Sequence, residues 1–313
     1  MKSAPANLPD TLVAAAAAPY RQAGRFAWHF ARGKLAGDPV FAALLEHGLL
    51  CGRARILDIG CGQGLLAALL LAAGAAGAAS TANAANAEKA DLARPADTAA
   101  AAGEMDAAHP AAAGSHVLQG ADALHAGASN GGPVALHKAP RPLAYHGIDS
   151  NGAEIGRALR ALCAPRPSPP PPQSPFSLRF TSGDMRTTPF GNAEAILLLD
   201  VLHYIDHPAQ DALLARARAA LGLSGVLILR VGDAAGGWRF RYSVLVDRLV
   251  RLLRTGCAAP LYCRSVAEWQ ASLEALDLKV SRLPAAPGAR FANTVLIATA
   301  GDDLRDNTSP GKD

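Results

Sequence analysis

The run ILDIGCGQG, residues 56–64, restricts the fold more than any other part of the chain. An apolar strand over 55–59 leads into a turn with glycine at every second position, and the apolar residues 65–72 then open a helix. A strand passing through a glycine turn into a helix is the first unit of a parallel α/β sheet, and the glycines let a ligand come close to backbone. A bare GxG occurs in many strand-to-helix turns, so the spacing matters. In the dinucleotide fingerprint GxGxxG the third glycine stands where this chain has Leu65. That fingerprint also expects an acid about twenty residues later, where this chain is Ala-rich. Here the acid Asp58 lies two residues before the first glycine, a place from which it would face a cationic ammonium better than a pyrophosphate.

Half of the 313 residues are hydrophobic, which excludes wholesale disorder, but much of that half is Ala and the aromatic share is 5%. Residues 72–142 are Ala-rich with few large apolar groups, bury too little to offset the entropy of ordering them, and are expected to be a disordered insertion. The Pro-rich stretch 164–175 is expected to be an exposed loop. Residues 1–19 and 301–313 read as flexible tails around one domain, 20–300. Residues 20–50 predict two short helices broken by Gly33, Gly37 and Pro39. Further strands are expected over 143–148, 176–181, 195–199, 225–231, 278–283 and 294–299, with helices over 152–162, 208–221, 239–254 and 265–276. The fold class is therefore α/β: a Rossmann-like, doubly wound, seven-stranded sheet, mostly parallel with helices on both faces. The last two strands have no helix between them, so one of them should run antiparallel.

A net charge of +4 is too weak to argue for nucleic acid without a basic cluster, and no nucleic-acid partner is expected. The apolar run 65–79 is too short for a membrane span. Residues 11–18 have the look of a weak leader, but Asp10 precedes them and Ala dominates. Cysteines 51, 61, 163, 257 and 263 form no CxxC pair and no metal spacing, which suits reduced thiols in a cytoplasmic protein with no metal site.

With these residues in view, the chain resembles class I S-adenosylmethionine-dependent methyltransferases, over about 50–64 and 143–300. The resemblance implies S-adenosyl-L-methionine as cofactor. It implies that Gly60, Cys61, Gly62 and Gly64 wrap the amino-acid moiety, which Asp58 orients. HGIDSN places Asp149 and Ser150 at the ribose hydroxyls, and SGDM places Asp184 at the adenine amino group with Met185 against the ring. LLLDVLHYI places Asp200, Val201, Leu202 and His203 under the cofactor. Each acid also has a plain alternative: Asp149 and Asp200 as helix caps, Asp184 as a turn residue. His203 is either a packed histidine or a general base. Beside methyl transfer to a small molecule stand two further readings, a non-catalytic S-adenosylmethionine-binding partner subunit and an NAD-dependent dehydrogenase.

On the acceptor side, Tyr20, Phe26, Trp28, His29 and Phe30 form an aromatic stripe that packing explains, though one or two members could line an apolar pocket. Arg241, Arg248, Arg251 and Arg254 lie along helix 239–254, as a solvated basic face or as a dock for an acyl carrier protein or anionic lipid. WRFRYSVLVDRLV and YCRSVAEW further resemble methyltransferases of bacterial aryl-polyene and xanthomonadin-type pigment pathways, which implies an aromatic or carrier-bound polyketide-like acceptor.

Overall fold

The β strands carry their apolar residues to two faces at once. In β4 (Ala193–Leu199), Ala195 and Leu197 join one core cluster while Ile196 and Leu198 join the other. This is why the strand reads as an unbroken apolar run: both faces of the sheet are covered. The protein is described as a computed structural model over residues 7–77, 143–164, 176–235, 260–283 and 293–300. The sheet and its helices belong to the unit formed by Met1–Ala76 and Leu136–Asp313. Most of the Ala-rich insertion, the Pro-rich loop from 165 on, helix 239–254 with its Arg face, and residues 301–313 lie outside the described residues.

The other strands are β1 (Arg55–Ile59), β2 (Leu143–Asp149), β3 (Phe176–Ser182), β5 (Leu221–Gly232), β6 (Leu278–Arg282) and β7 (Asn293–Ala300). They form one seven-stranded sheet in the order β3-β2-β1-β4-β5-β7-β6. β1 to β5 are parallel, and β7 runs antiparallel to both β5 and β6. This is the expected fold class, including the antiparallel strand near the C-terminus. From β1 the order runs through β2 on one side and β4 on the other, so a crevice opens at their carboxyl ends.

The helices are α1 (Asp10–Ala17), α2 (Arg25–Gly37), α3 (Pro39–Glu46), α4 (65–77), α5 (Gly152–Ala158), α6 (His207–Ala220) and α7 (Val266–Glu274). α1 to α4 supply one core cluster, with Ile56 and Tyr145 from the sheet, and α6 and α7 supply the other. Their starts are capped by side chains written in the sequence: Asp38 accepts from Val40 N, Asn151 from Ala153 N, Asp206 from Ala209 N, and Ser265 with Glu268 closes a capping box. Neither Asp149 nor Asp200 is a helix cap.

Three expectations need correction. Residues 10–17 of the supposed tail 1–19 are a helix with Val13, Ala16 and Ala17 buried, followed by a 3₁₀ turn that buries Tyr20. Its apolar face is mostly alanine, which adds little burial per residue but lets α1 pack closely against Ala27 and Ala31 of α2. Gly33 lies inside α2 instead of breaking it, and the break falls at Asp38. The expected helix 152–162 is α-helical only to Ala158 and continues as a π turn over Leu159–Cys163.

Candidate ligand-binding crevice

The glycine loop closes over the end of β2. Gly60 N and Cys61 N both donate to Ile148 O, at 2.7 and 3.1 Å. Gly60, Gly62 and Gly64 all have positive φ (81°, 55° and 76°), where a side chain costs strain. Gly60 also has no room: a Cβ there would lie 2.0 Å from Val201 Cγ1. Buried Val201 therefore supports the loop from below, which gives that sequence-chosen residue a packing role. Buried Cys61 fills space left by Gly147, where a Cβ would meet its Sγ at 2.8 Å. Burial raises the Cys61 thiol far above its ordinary value, which disfavours the thiolate.

The four acids lie along this edge in four different states. Asp149 is half-buried; its Oδ2 accepts from Gly62 N and its Oδ1 from Asn151 N, each at 2.8 Å. A carboxylate offers about four acceptor sites, so half of its capacity is left for a ligand. Ser150 beside it is exposed. Asp58 departs from expectation. It shares the face of β1 that carries Ile56, is 4% exposed, and accepts a short hydrogen bond from the buried Tyr145 hydroxyl. Burial pushes its carboxyl up to about 7, against the lowering effect of Tyr145. It sits beneath the glycine loop, braced by Tyr145, instead of standing open to an ammonium.

Asp184 is taken up by its neighbour. Its Oδ1 accepts from Arg186 N (2.8 Å) and Nε (3.0 Å), and its Oδ2 from Nε (2.9 Å) and Nη2 (2.6 Å). These bonds hold Asp184 below the ordinary carboxylate range. Met185 is half-buried against the α6 side of the core, and its carbonyl accepts from Arg216 Nη1 at 2.8 Å. A base at this strand end would meet a carboxylate already filled, unless Arg186 swings away; the pair is exposed, so that costs little.

Asp200 ends β4 in a left-handed conformation, φ 57°, uncommon for a residue with a side chain. Its Oδ2 lies 3.3 Å from Arg230 Nη1, and its Oδ1 accepts from Asn293 Nδ2 at 3.4 Å. Burial raises its carboxyl above the ordinary value, with Arg230 acting against the shift. His203 lies on the short 3₁₀ turn Leu202–Tyr204, half-buried, its ring 4.1 Å from that of Tyr204. Its carbonyl accepts from Tyr262 N at 2.9 Å.

Local sequence does not reveal the bonds that join the N-terminal helices to the glycine loop. Tyr20 donates to Gln63 O at 2.7 Å, and Gln63 Nε2 donates to Ala27 O at 3.2 Å, so the N-terminal helices are tied directly to the glycine loop. Of the aromatic stripe, Tyr20 is buried, Trp28 and Phe30 are partly buried, and Phe26 and His29 are exposed. Trp28 carries Arg21 and Arg32 over its ring. The one legible signal was Arg230, a charge inside the apolar run GVLILRV; a buried charge needs a partner. No group of residues able to hold a metal, and no helix long and apolar enough to cross a membrane, occurs among the described residues.

No protein-family model and no curated protein matches the chain. Among solved structures, it is similar to the pyocyanin biosynthetic protein PhzM, 16% identical, over 91% of this chain and 61% of that one, with a TM-score of 0.48. The chain thus spans less than two thirds of that protein's length. It is similar to magnesium protoporphyrin IX methyltransferase from Synechocystis PCC 6803 with bound SAH, 16% identical over 89% of each chain, TM-score 0.46. It is also similar to human N-acetylserotonin methyltransferase in complex with SAM, 13% identical over 87% of this chain and 56% of that one, TM-score 0.46. Likeness at this level carries no functional weight by itself.

Proposed function

We propose that the protein is an S-adenosylmethionine-dependent methyltransferase acting on a small molecule. The observation that carries this reading is the glycine loop at the point where strand order reverses, with the half-engaged carboxylate of Asp149 held against Gly62 N. A loop of close-packed glycines beside a carboxylate with two acceptor sites to spare suits a ligand that brings a ribose diol and an amino-acid end. A dinucleotide fits less well. The dinucleotide fold has the strand order 3-2-1-4-5-6, whereas here antiparallel β7 enters between β5 and β6, and Leu65 occupies the third glycine's place.

S-adenosylmethionine, when bound, supplies an activated methyl on a sulfonium. Asp149 would hold the ribose hydroxyls, the backbone of Gly60–Gly64 the amino-acid end, and Met185 one face of the adenine. Asp58 would act from below by fixing the loop. The remaining tasks are alignment of the acceptor and, for a hydroxyl acceptor, removal of its proton. His203, three residues beyond Asp200 at the end of β4, is the candidate for the proton. An aromatic or carrier-bound polyketide-like acceptor, with an acyl carrier protein docked on the Arg face of 239–254, remains the finer reading that the sequence suggests.

Calorimetry with S-adenosylmethionine, S-adenosylhomocysteine and NAD tests the cofactor. Binding of the adenosyl compounds without NAD is expected, with a loss of about tenfold or more in Asp149→Ala, as for removal of a hydrogen-bonded charged partner. Binding of NAD alone would overturn the proposal. Binding without transfer to any acceptor, sought by mass spectrometry of cell metabolites with and without the protein, would favour a non-catalytic partner subunit.

A further inference from the structure

Past the end of β3 the backbone is tied down while the charged side chains stay at the surface. Gly183 N donates to Asp149 O at 3.0 Å, which joins this strand end to the one beside it. Thr187 N and Thr188 N both donate to Asp184 O, at 3.1 and 2.8 Å, and close a turn. Arg216, reaching over from α6, donates Nη1 to the carbonyls of Met185 and Arg186, and Nη2 to Thr188 O at 2.6 Å. All of these bonds end on backbone atoms. The carboxylate of Asp184, by contrast, has its hydrogen bonds among the described residues from Arg186 alone, one from the backbone N and three from the guanidinium. Both side chains are open to solvent, 39% exposed for Asp184 and 57% for Arg186. Asp206, at the start of α6, is a second carboxylate near Arg186 toward which the guanidinium can turn. The pair can therefore open without the turn moving.

We propose that Arg186 is a specificity-determining residue of the crevice: it covers the carboxylate of Asp184 that reads an amino group on the ligand's base, and it turns away when such a base binds. The inference rests on the cofactor reading above and adds to it a competitor already in place in the free protein. β1, β2 and β3 are successive neighbours in the sheet, about 4.8 Å apart. A ligand with its amino-acid end on the glycine loop after β1 and its ribose on Asp149 extends its base toward the end of β3. Asp149 pairs in register with Ser182, so Asp184 stands two residues past the point level with Asp149, where the edge of that base arrives. An ionised carboxylate only accepts hydrogen bonds, so alone it selects an edge carrying N–H donors and repels a carbonyl oxygen. With Arg186 over it, the amino edge must first displace a guanidinium, while a carbonyl edge meets donors. Arg186 thus blunts the choice that Asp184 makes.

The test is calorimetry on the full chain with two probes, S-adenosylhomocysteine and S-inosylhomocysteine, which carries a carbonyl in place of the amino group of the base. Arg186→Gln is expected to tighten S-adenosylhomocysteine about threefold, the small effect of opening an exposed ion pair, and to leave S-inosylhomocysteine no tighter. The preference for the amino base therefore widens. Asp184→Asn should narrow it, and in that background Arg186→Gln should change neither probe, because there is no carboxylate left to cover. Weaker binding of S-adenosylhomocysteine by Arg186→Gln would mean that Arg186 holds the ligand, and would overturn the proposal. So would an equal shift of both probes, no shift of either, or a shift that persists in the Asp184→Asn background. If the unaltered protein binds both probes and Asp184→Asn leaves their ratio unchanged, the base subsite is wrong. If it binds neither, the cofactor reading itself falls.

Discussion

Two stretches of the same sheet edge use the same side chain in opposite ways. At the ends of β1 and β2, Asp58 and Asp149 are built into the backbone and core: one is braced by Tyr145, the other by Gly62 N and Asn151 N. Beyond β3, Asp184 lies near the surface and spends its acceptors on Arg186, two residues away. Each is an acid at or just past the carboxyl end of a strand, and local sequence does not tell them apart. Burial does: a carboxylate in the interior must find donors in the fold, and one at the surface can take the nearest arginine or water.

Substitutions can break this contrast. The largest effect is expected at Gly60→Ala, where a Cβ would lie 2.0 Å from Val201 and φ is 81°. Strain and overpacking together should cost about 2–5 kcal/mol, read from the urea midpoint. Tyr145→Phe comes next. It leaves the buried carboxylate of Asp58 without its donor and should cost about 1–3 kcal/mol in the same assay.

Asp58 also makes a pH prediction. Its folded carboxyl is raised from 3.8 to about 7, so the folded state holds the proton more tightly than the unfolded one. Its contribution to stability is full below the ordinary carboxylate range and is lost as pH rises to about 7. The stability of the protein minus that of Asp58→Asn should therefore fall across that window and then level off. An opposite slope would mean that Asp58 is ionised and paired.

Gly62→Ala, with φ 55° and nothing within 4 Å of its Cβ, should cost only about 1–2 kcal/mol, the backbone part of what Gly60→Ala loses. The smallest effect is expected at the β3 end. Arg186→Ala should leave the urea midpoint almost unchanged, because the pair is exposed and screened by solvent. A cost as large as that of Tyr145→Phe would erase the distinction between the two regions.

Much of this was legible from residues alone. ILDIGCGQG places a strand, turn and helix because apolar periodicity and glycine act within a few residues of each other. The succession of strands along the chain followed from alternating patterns, and an antiparallel member of the last pair from the missing helix between them, but the pairing alone decided that it is β7. The N-terminal helix was not legible. Its buried face is Val13, Ala16 and Ala17, and alanine shows no contrast between a packed helix and a loose tail until a partner surface is present.

The same division runs through the crevice. Which residues stand at strand ends was decided locally, by strand length and turn chemistry, so Asp58, Asp149 and Asp200 could be placed by counting. What each carboxylate does was decided by chain far away in sequence. Tyr145 reaches Asp58 only because β2 pairs with β1 in a register that sets both on one face, and Asp38 reaches Arg230 only because α2 and α3 return across the end of β5. Electrostatic roles depend on distance and burial in three dimensions, and neither is carried by the neighbours of a residue along the chain.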